Sequence, residues 1–204
     1  ADDHMVRQMA LEVNSVIISV DYRLAPEHPF PAALNDASTA LQWLADNTDK
    51  LLVDPVRIAI GGISAGAGLA AGLALHARDT TDIQLAFQFL LCPMIDDRCV
   101  TASSHMITDK RVWNRDSNLI AWKHYLHRDK TPEQELYKDV SEYAAASRAT
   151  SLSGLPPAYI AFTTSTLTPS TVSSTTISAA EAATVSATAF STTGAATVST
   201  TAFS

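Results

Sequence analysis

Charge is scarce in this chain, and it is absent almost entirely from one end. Charged residues make up 17% of the 204 positions, below the usual quarter or so of a globular domain. All 14 Lys and Arg lie before residue 149, and all six His lie before residue 128. Of the 21 Asp and Glu, only Glu181 lies beyond residue 142. A net charge of −7 and a pI near 5.2 argue against a dedicated nucleic-acid binder, which would show a basic patch. They also give no polybasic signal for an anionic membrane. No stretch of 18 apolar residues occurs, so no membrane-spanning helix is expected. The first residues, Ala1-Asp2-Asp3-His4, are acidic and lack an apolar core, so no secretory leader is expected there. The two cysteines, Cys92 and Cys99, are too few for a disulfide scaffold and lack the further ligands of a zinc site. They read as unpaired thiols in a reducing compartment, which makes the cytoplasm the expected location.

What is present is a core. Apolar residues make up 47%, and the length suits one domain. Residues 13–21 (VNSVIISVD) form a β-branched run of the kind that makes a buried strand. Residues 23–31 (RLAPEHPFP) hold three prolines and predict a rigid loop. Ala33, Ala37, Ala40, Leu41 and Leu44 then recur at helical spacing, with Asn35, Asp36 and Asp46 off that face. Residues 56–60 (VRIAI) predict a second strand, broken by Gly61-Gly62. Residues 65–78, rich in Ala and Leu, predict a closely packed helix, and residues 83–91 (IQLAFQFLL) a third strand. This alternation predicts an α/β fold with a mostly parallel sheet and helices on both faces. Residues 96–150 interrupt it with two of the three tryptophans and three histidines. They predict a helical cap insertion, with Trp113, Ile120 and Tyr125 lining one side. Residues 156–162 (PPAYIAF) return to the sheet as a fourth strand.

From residue 163 to residue 204 the chain changes character: 32 of 42 residues are Ser, Thr or Ala. Residues 182–191 (AATVSATAFS) recur as residues 195–204 (AATVSTTAFS), with one difference in ten. This is a low-complexity repeat, too short in period for a solenoid. With little large apolar content, much of this tail is expected to be poorly ordered. The expected division is therefore a globular α/β domain over residues 1–162 and a tail over residues 163–204.

Gly62-Ile63-Ser64-Ala65-Gly66 matches Gly-x-Ser-x-Gly, between a predicted strand and a predicted helix. That is the setting of a nucleophile elbow, where glycines allow a sharp turn that exposes the serine hydroxyl. Ser64 is the candidate nucleophile. The Ala65 N–H at the helix N-terminus is the candidate oxyanion donor, and Gly62 and Gly66 support the turn.

Residues 20–33 (VDYRLAPEHPFPAA) resemble the stretch that marks the hormone-sensitive-lipase-like branch of the α/β-hydrolases. Residues 56–68, 88–93 and 154–159 continue the resemblance, which covers about residues 1–162. Bacterial carboxylesterases of this branch, the heroin-esterase-like enzymes among them, give the nearest picture. The resemblance implies hydrolysis of short-chain carboxylic esters through a Ser64 acyl-enzyme, with a small-molecule substrate and no metal or organic cofactor. It leaves room for sheet-edge pairing into a homodimer without requiring it, and it makes Arg23 and Glu27 an ion-paired structural loop under the site.

The chain also departs from that branch. Ile63 stands where an acidic or polar residue is usual, and Ala67 where Gly is usual. No His-Gly-Gly-Gly stretch, the source of further oxyanion donors, occurs in the 204 residues. The expectation is a hydrolase domain incomplete on its N-terminal side. The triad acid is expected after the fourth strand, where residues 163–170 read TTSTLTPS, and the triad His later still, where no His occurs. Asp96 and Asp97 follow the third strand, where some α/β-hydrolases carry the acid. His105, His124 and His127 precede the fourth strand and, with His28 and His76, read as surface, loop or helix-end residues, so no triad acid or His is nominated. An alternative reading follows: a non-catalytic α/β-hydrolase-like binding protein.

Overall fold

A computed structural model describes residues 3–128, 131, 135–163, 172–177 and 195–201. The elements in chain order are α1 (Asp3–Glu12), β1 (Ser15–Ser19), α2 (Ala32–Asp46), α3 (Thr48–Leu51), β2 (Ile58–Ile63), α4 (Ala65–Thr80), β3 (Leu85–Leu91), α5 (Ala102–Met106), α6 (Arg115–Tyr125), β4 (Ala158–Thr163), β5 (Val172–Ile177) and β6 (Ala195–Thr201). The strands form one sheet in the order β1-β6-β2-β3-β4-β5. Every neighbouring pair is parallel except the antiparallel β4–β5 pair. The fold is of the α/β-hydrolase type, with a mostly parallel sheet against which helices pack.

The core lies where the sequence periodicity put it. α2 buries Ala33, Leu34, Ala37, Leu41 and Leu44 against α4 and the sheet. α4 buries Gly66 to Leu75 without interruption, and Ala77 as well. A helix buried on every side needs small residues, and this one supplies Gly and Ala at most positions. Ile58 and Ile60 of β2 are fully enclosed beneath it. Among the described residues no helix is long and apolar enough to cross a membrane.

Two local expectations are corrected, and two further elements are ones the sequence did not announce. Gly61 and Gly62 do not break the second strand but belong to β2. An added Cβ at Gly61 would lie 2.9 Å from the Phe89 carbonyl oxygen, so the glycine is there to let β3 approach. In the insertion, Trp113 and Ile120 are more than half exposed. The side chains that pack inward are Leu119, Trp122, Tyr125 and Leu126, around Cys99 and Ala145. α1, a helix that the opening residues did not announce, packs on β1. Finally, two pieces of the Ser/Thr/Ala-rich tail are strands: β5 continues the sheet beyond β4, and β6 lies between β1 and β2. Main-chain ladders need no large apolar side chains, so composition alone did not reveal them. The rest of the tail lies outside the described residues.

Candidate active site

Ser64 joins the end of β2 to the start of α4 with φ 55° and ψ −118°. Such a conformation costs a non-glycine residue on the order of 1–3 kcal/mol and persists only where its surroundings fix it. Here they do so from three directions. The Ser64 N–H donates to the Leu91 carbonyl at 2.8 Å, and the Ser64 carbonyl accepts from Gly68 N–H and from Met94 N–H, each at 3.1 Å. The side chain makes no capping hydrogen bond to the helix, and both Ser64 and Ala65 are exposed. The hydroxyl is therefore presented to solvent beside the N–H groups of the first turn of α4, whose partial positive charge favours a developing anion.

The backbone at 91–94 is the second wall of this turn. The Cys92 N–H donates to the Ala161 carbonyl at 2.7 Å, tying the end of β3 to β4. α4 lies so close to this wall that a Cβ on Gly68 would run into the Met94 carbonyl. Cys92 is exposed, whereas Cys99 is buried. Burial pushes the Cys99 thiol up from its usual value.

The proline-rich loop is held from both sides. Arg23 donates to both carboxylate oxygens of Asp36 on α2, with Nη2–Oδ1 at 2.7 Å and Nε–Oδ2 at 2.9 Å, and its own N–H adds a bond at 3.0 Å. The Arg23 hydrogen bonds hold the Asp36 carboxyl below the usual carboxylate range. The ion pair expected in this loop thus goes to Asp36, while Glu27 is exposed and makes no ion pair among the described residues. At the other end the Phe30 N–H donates to the Tyr125 carbonyl at 2.7 Å, and the two rings meet edge to face with centroids 5.9 Å apart. Tyr125 also meets Trp122 edge to face. Tyr22 packs into the core with its hydroxyl lacking a hydrogen-bond partner among the described residues, and burial pushes it up to about 12. Burial likewise raises Tyr125, with the nearby Tyr22 adding to it. The loop and the insertion helix α6 thus meet at one aromatic junction, which the sequence signalled only through Tyr125.

The other candidates lie elsewhere. Asp97 is fully buried and takes two hydrogen bonds of 2.7 Å from Arg148. Asp96 accepts from Arg98 at 2.7 Å, and Arg98 also reaches the Ser147 hydroxyl at 3.3 Å. Both carboxylates are committed to arginines. His76 sits at the far end of α4, 3.3 Å from the Thr80 hydroxyl and edge to face with Tyr143. His28 and His105 are exposed, and His124 and His127 lie at the end of α6. Among the described residues no histidine or carboxylate hydrogen-bonds Ser64. The place expected for the triad acid, after Thr163, lies outside the described residues.

The arrangement is shared with known proteins. Residues 1–192 match a family model described as alpha/beta hydrolase fold. Carboxylesterase NlhH of Mycobacterium tuberculosis is 36% identical over 165 residues, covering 78% of this chain and 48% of that protein. Esterase LipI of the same organism is 37% identical over 164 residues, with the same shares. Among solved structures, a bacterial heroin esterase superposes with a TM-score of 0.64 at 47% identity, over 68% of this chain and 43% of its own. The chain spans about half the length of the curated relatives it matches. Motif, elbow geometry and relatives agree: the chain belongs to the α/β-hydrolase fold family, in its hormone-sensitive-lipase-like branch.

Proposed function

We propose that this protein is a carboxylic ester hydrolase that acts on short-chain, small-molecule esters through an acyl-enzyme on Ser64. The observation that carries the reading is the conformation of Ser64, an exposed hydroxyl held at positive φ at the start of a buried helix. In the first step Ser64 Oγ bonds to the ester carbonyl carbon, and the carbonyl oxygen takes the negative charge beside the Ala65 N–H. Collapse breaks the bond to the alkoxy oxygen, which leaves as the alcohol with the proton that Oγ gave up. Water then attacks the acyl-enzyme, releasing the acid and restoring Ser64. Gly62 and Gly66 shape the turn, and Arg23 braces the neighbouring loop through Asp36.

The proton from Oγ has no protein acceptor among the described residues. The rate expected of this chain is accordingly the part that binding and oxyanion stabilisation supply, roughly 10³–10⁴ over water where the oxyanion hole is complete and lower by roughly 10²–10³ for a donor that is lacking. The same missing acceptor favours a second reading, a non-catalytic hydrolase-like binding protein. As part of the first reading, the protein works in the cytoplasm as a homodimer, with residues 1–162 as its hydrolase body, and without a nucleic-acid or membrane partner. The acidic balance of −7 supports the absence of such partners. Hydrolysis of a short-chain p-nitrophenyl ester by this chain and by Ser64→Ala tests the proposal. A rate above background that disappears in Ser64→Ala is expected. Equal background rates in both overturn catalysis and leave the binding reading.

A further inference from the structure

Two hydrogen bonds tie the main chain of Ser64 to the end of β3 and the loop after it, and different things fix their far ends. Leu91 accepts from the Ser64 N–H at 2.8 Å. It is the last residue of β3 and is paired on both sides, to Ile63 and to Ala161. Met94 donates its N–H to the Ser64 carbonyl at 3.1 Å, and it lies beyond Pro93, outside the sheet. Something other than the strand ladder must set its position.

Residues 143–148 do so. The Ser147 N–H donates to the Ile95 carbonyl at 3.0 Å. Asp96 accepts from Arg98 at 2.7 Å, and Arg98 reaches the Ser147 hydroxyl at 3.3 Å. Asp97 accepts two bonds of 2.7 Å from Arg148, 51 positions further on, and Arg148 also donates to the Tyr137 carbonyl at 2.9 Å. Both segments rest on one side of α4. A Cβ on Gly68 would run into the Met94 carbonyl, and a Cβ on Gly72, one turn later, into the Tyr143 carbonyl. The helix thus limits how near the two segments come, while the links between them decide how they sit. Asp97 is fully buried, and a buried ion pair is often no more stabilising than an apolar pair of similar volume. What the pair adds is geometry: a planar guanidinium fork on both carboxylate oxygens sets distance and orientation together.

We propose that Arg148 is a positioning residue for Ser64. Its fork fixes Asp97, Asp97 fixes the backbone back to Met94, and the Met94 N–H fixes the carbonyl of the elbow. The consequence for rate, which rests on the reading of Ser64 as the nucleophile, is a loss in kcat. A displacement of about 1 Å at the reacting group costs up to about a hundredfold, while ground-state binding, and with it KM, is little changed.

Two variants separate position from stability. Asp97→Leu/Arg148→Met refills the site with apolar groups and has no fork. Arg148→Lys keeps a charge beside Asp97, so it folds, but meets the carboxylate at one point rather than two. Each is measured for kcat and KM on a short-chain p-nitrophenyl ester, for its urea midpoint, and for hydrogen exchange at the Met94 amide against the Leu73 amide within α4. In the double variant kcat should fall about tenfold to a hundredfold at near-constant KM. Its Met94 amide should exchange about tenfold faster or more, while the Leu73 amide keeps its protection. Arg148→Lys should show both changes in smaller degree. A pair that served stability alone would leave kcat and the Met94 amide unchanged wherever the midpoint is kept. Wild-type kcat or wild-type exchange at Met94 in the double variant overturns the proposal, and if that variant does not fold, the same result in Arg148→Lys overturns it. Should Ser64→Ala hydrolyse the ester as fast as the wild type, the nucleophile reading has failed. The Met94 amide then decides alone: faster exchange supports the positioning of Ser64 by Arg148, and unchanged exchange overturns it.

Discussion

Arg148→Met should cost this protein a large part of its stability, and the structure says why. Asp97 is fully buried, and both of its oxygens accept charge-assisted bonds of 2.7 Å from the Arg148 guanidinium. The same guanidinium donates to the Tyr137 carbonyl at 2.9 Å. Methionine keeps much of the stem volume and removes every donor. Breaking a buried pair from one side costs about 3–5 kcal/mol, because a carboxylate is left without compensation. Arg148 keeps 20% of its side-chain surface, so water reaches one side and the lower end, about 3 kcal/mol, is expected. Against a domain stability of about 5–15 kcal/mol, that loss is easily measured. Urea unfolding followed by tryptophan emission suits the purpose, since Trp122 is buried and lines the same small gap as Asp97 and Tyr137. The companion is the double variant Asp97→Leu/Arg148→Met, which removes both charges. It should recover about 2 kcal/mol or more of the loss, since replacing a whole buried pair by apolar residues is often neutral. A single variant that loses less than about 1 kcal/mol, or a double variant no better than the single, refutes the reasoning. The pair also matters for the elbow: Asp97 lies three residues beyond Met94, whose N–H holds the Ser64 carbonyl.

Two further outcomes follow from contacts near the site. Gly68→Ala forces a Cβ into the Met94 carbonyl. It should lower stability by about 1–3 kcal/mol, read from the urea midpoint, and lower ester hydrolysis as well because Met94 shares the Ser64 carbonyl; an unchanged midpoint contradicts the close approach. Asp36→Asn tests the Arg23 clamp through pH: the folded Asp36 carboxyl is held below its usual value, so its stabilisation is present above the unfolded carboxylate range and lost as pH falls through the folded value. The variant should be less stable near neutrality and show a shallower fall in melting temperature on acidification; an identical acid limb contradicts it.

The strand, elbow and helix around Ser64 were legible because each announced itself locally. Residues 56–60 alternate within a β-branched run, the elbow motif follows at once, and α2 repeats its apolar residues at helical spacing. Features that depend on distant partners were not legible. Arg23 finds Asp36 across 13 positions and an intervening turn, where the sequence suggested Glu27. Asp96 and Asp97 read as spare acids until Arg98 and Arg148 claim them. Trp113 and Trp122 differ by nine positions, and only packing tells which is buried. Gly61 reads as a strand breaker until Phe89 is seen against it. The tail misleads most, because a backbone ladder leaves no trace in hydrophobicity, and β6 comes to β2 from far along the chain.

α4 is enclosed from Gly66 to Leu75, and this has a consequence for how such a protein can diversify. A helix gripped on all sides cannot shift without disturbing the whole interior, so the position of Ser64 behaves as a fixed datum. Change in what the protein accepts must then come from residues outside that helix and the elements that grip it. Drift in those parts can reshape the approach to the hydroxyl while the hydroxyl itself stays where it is.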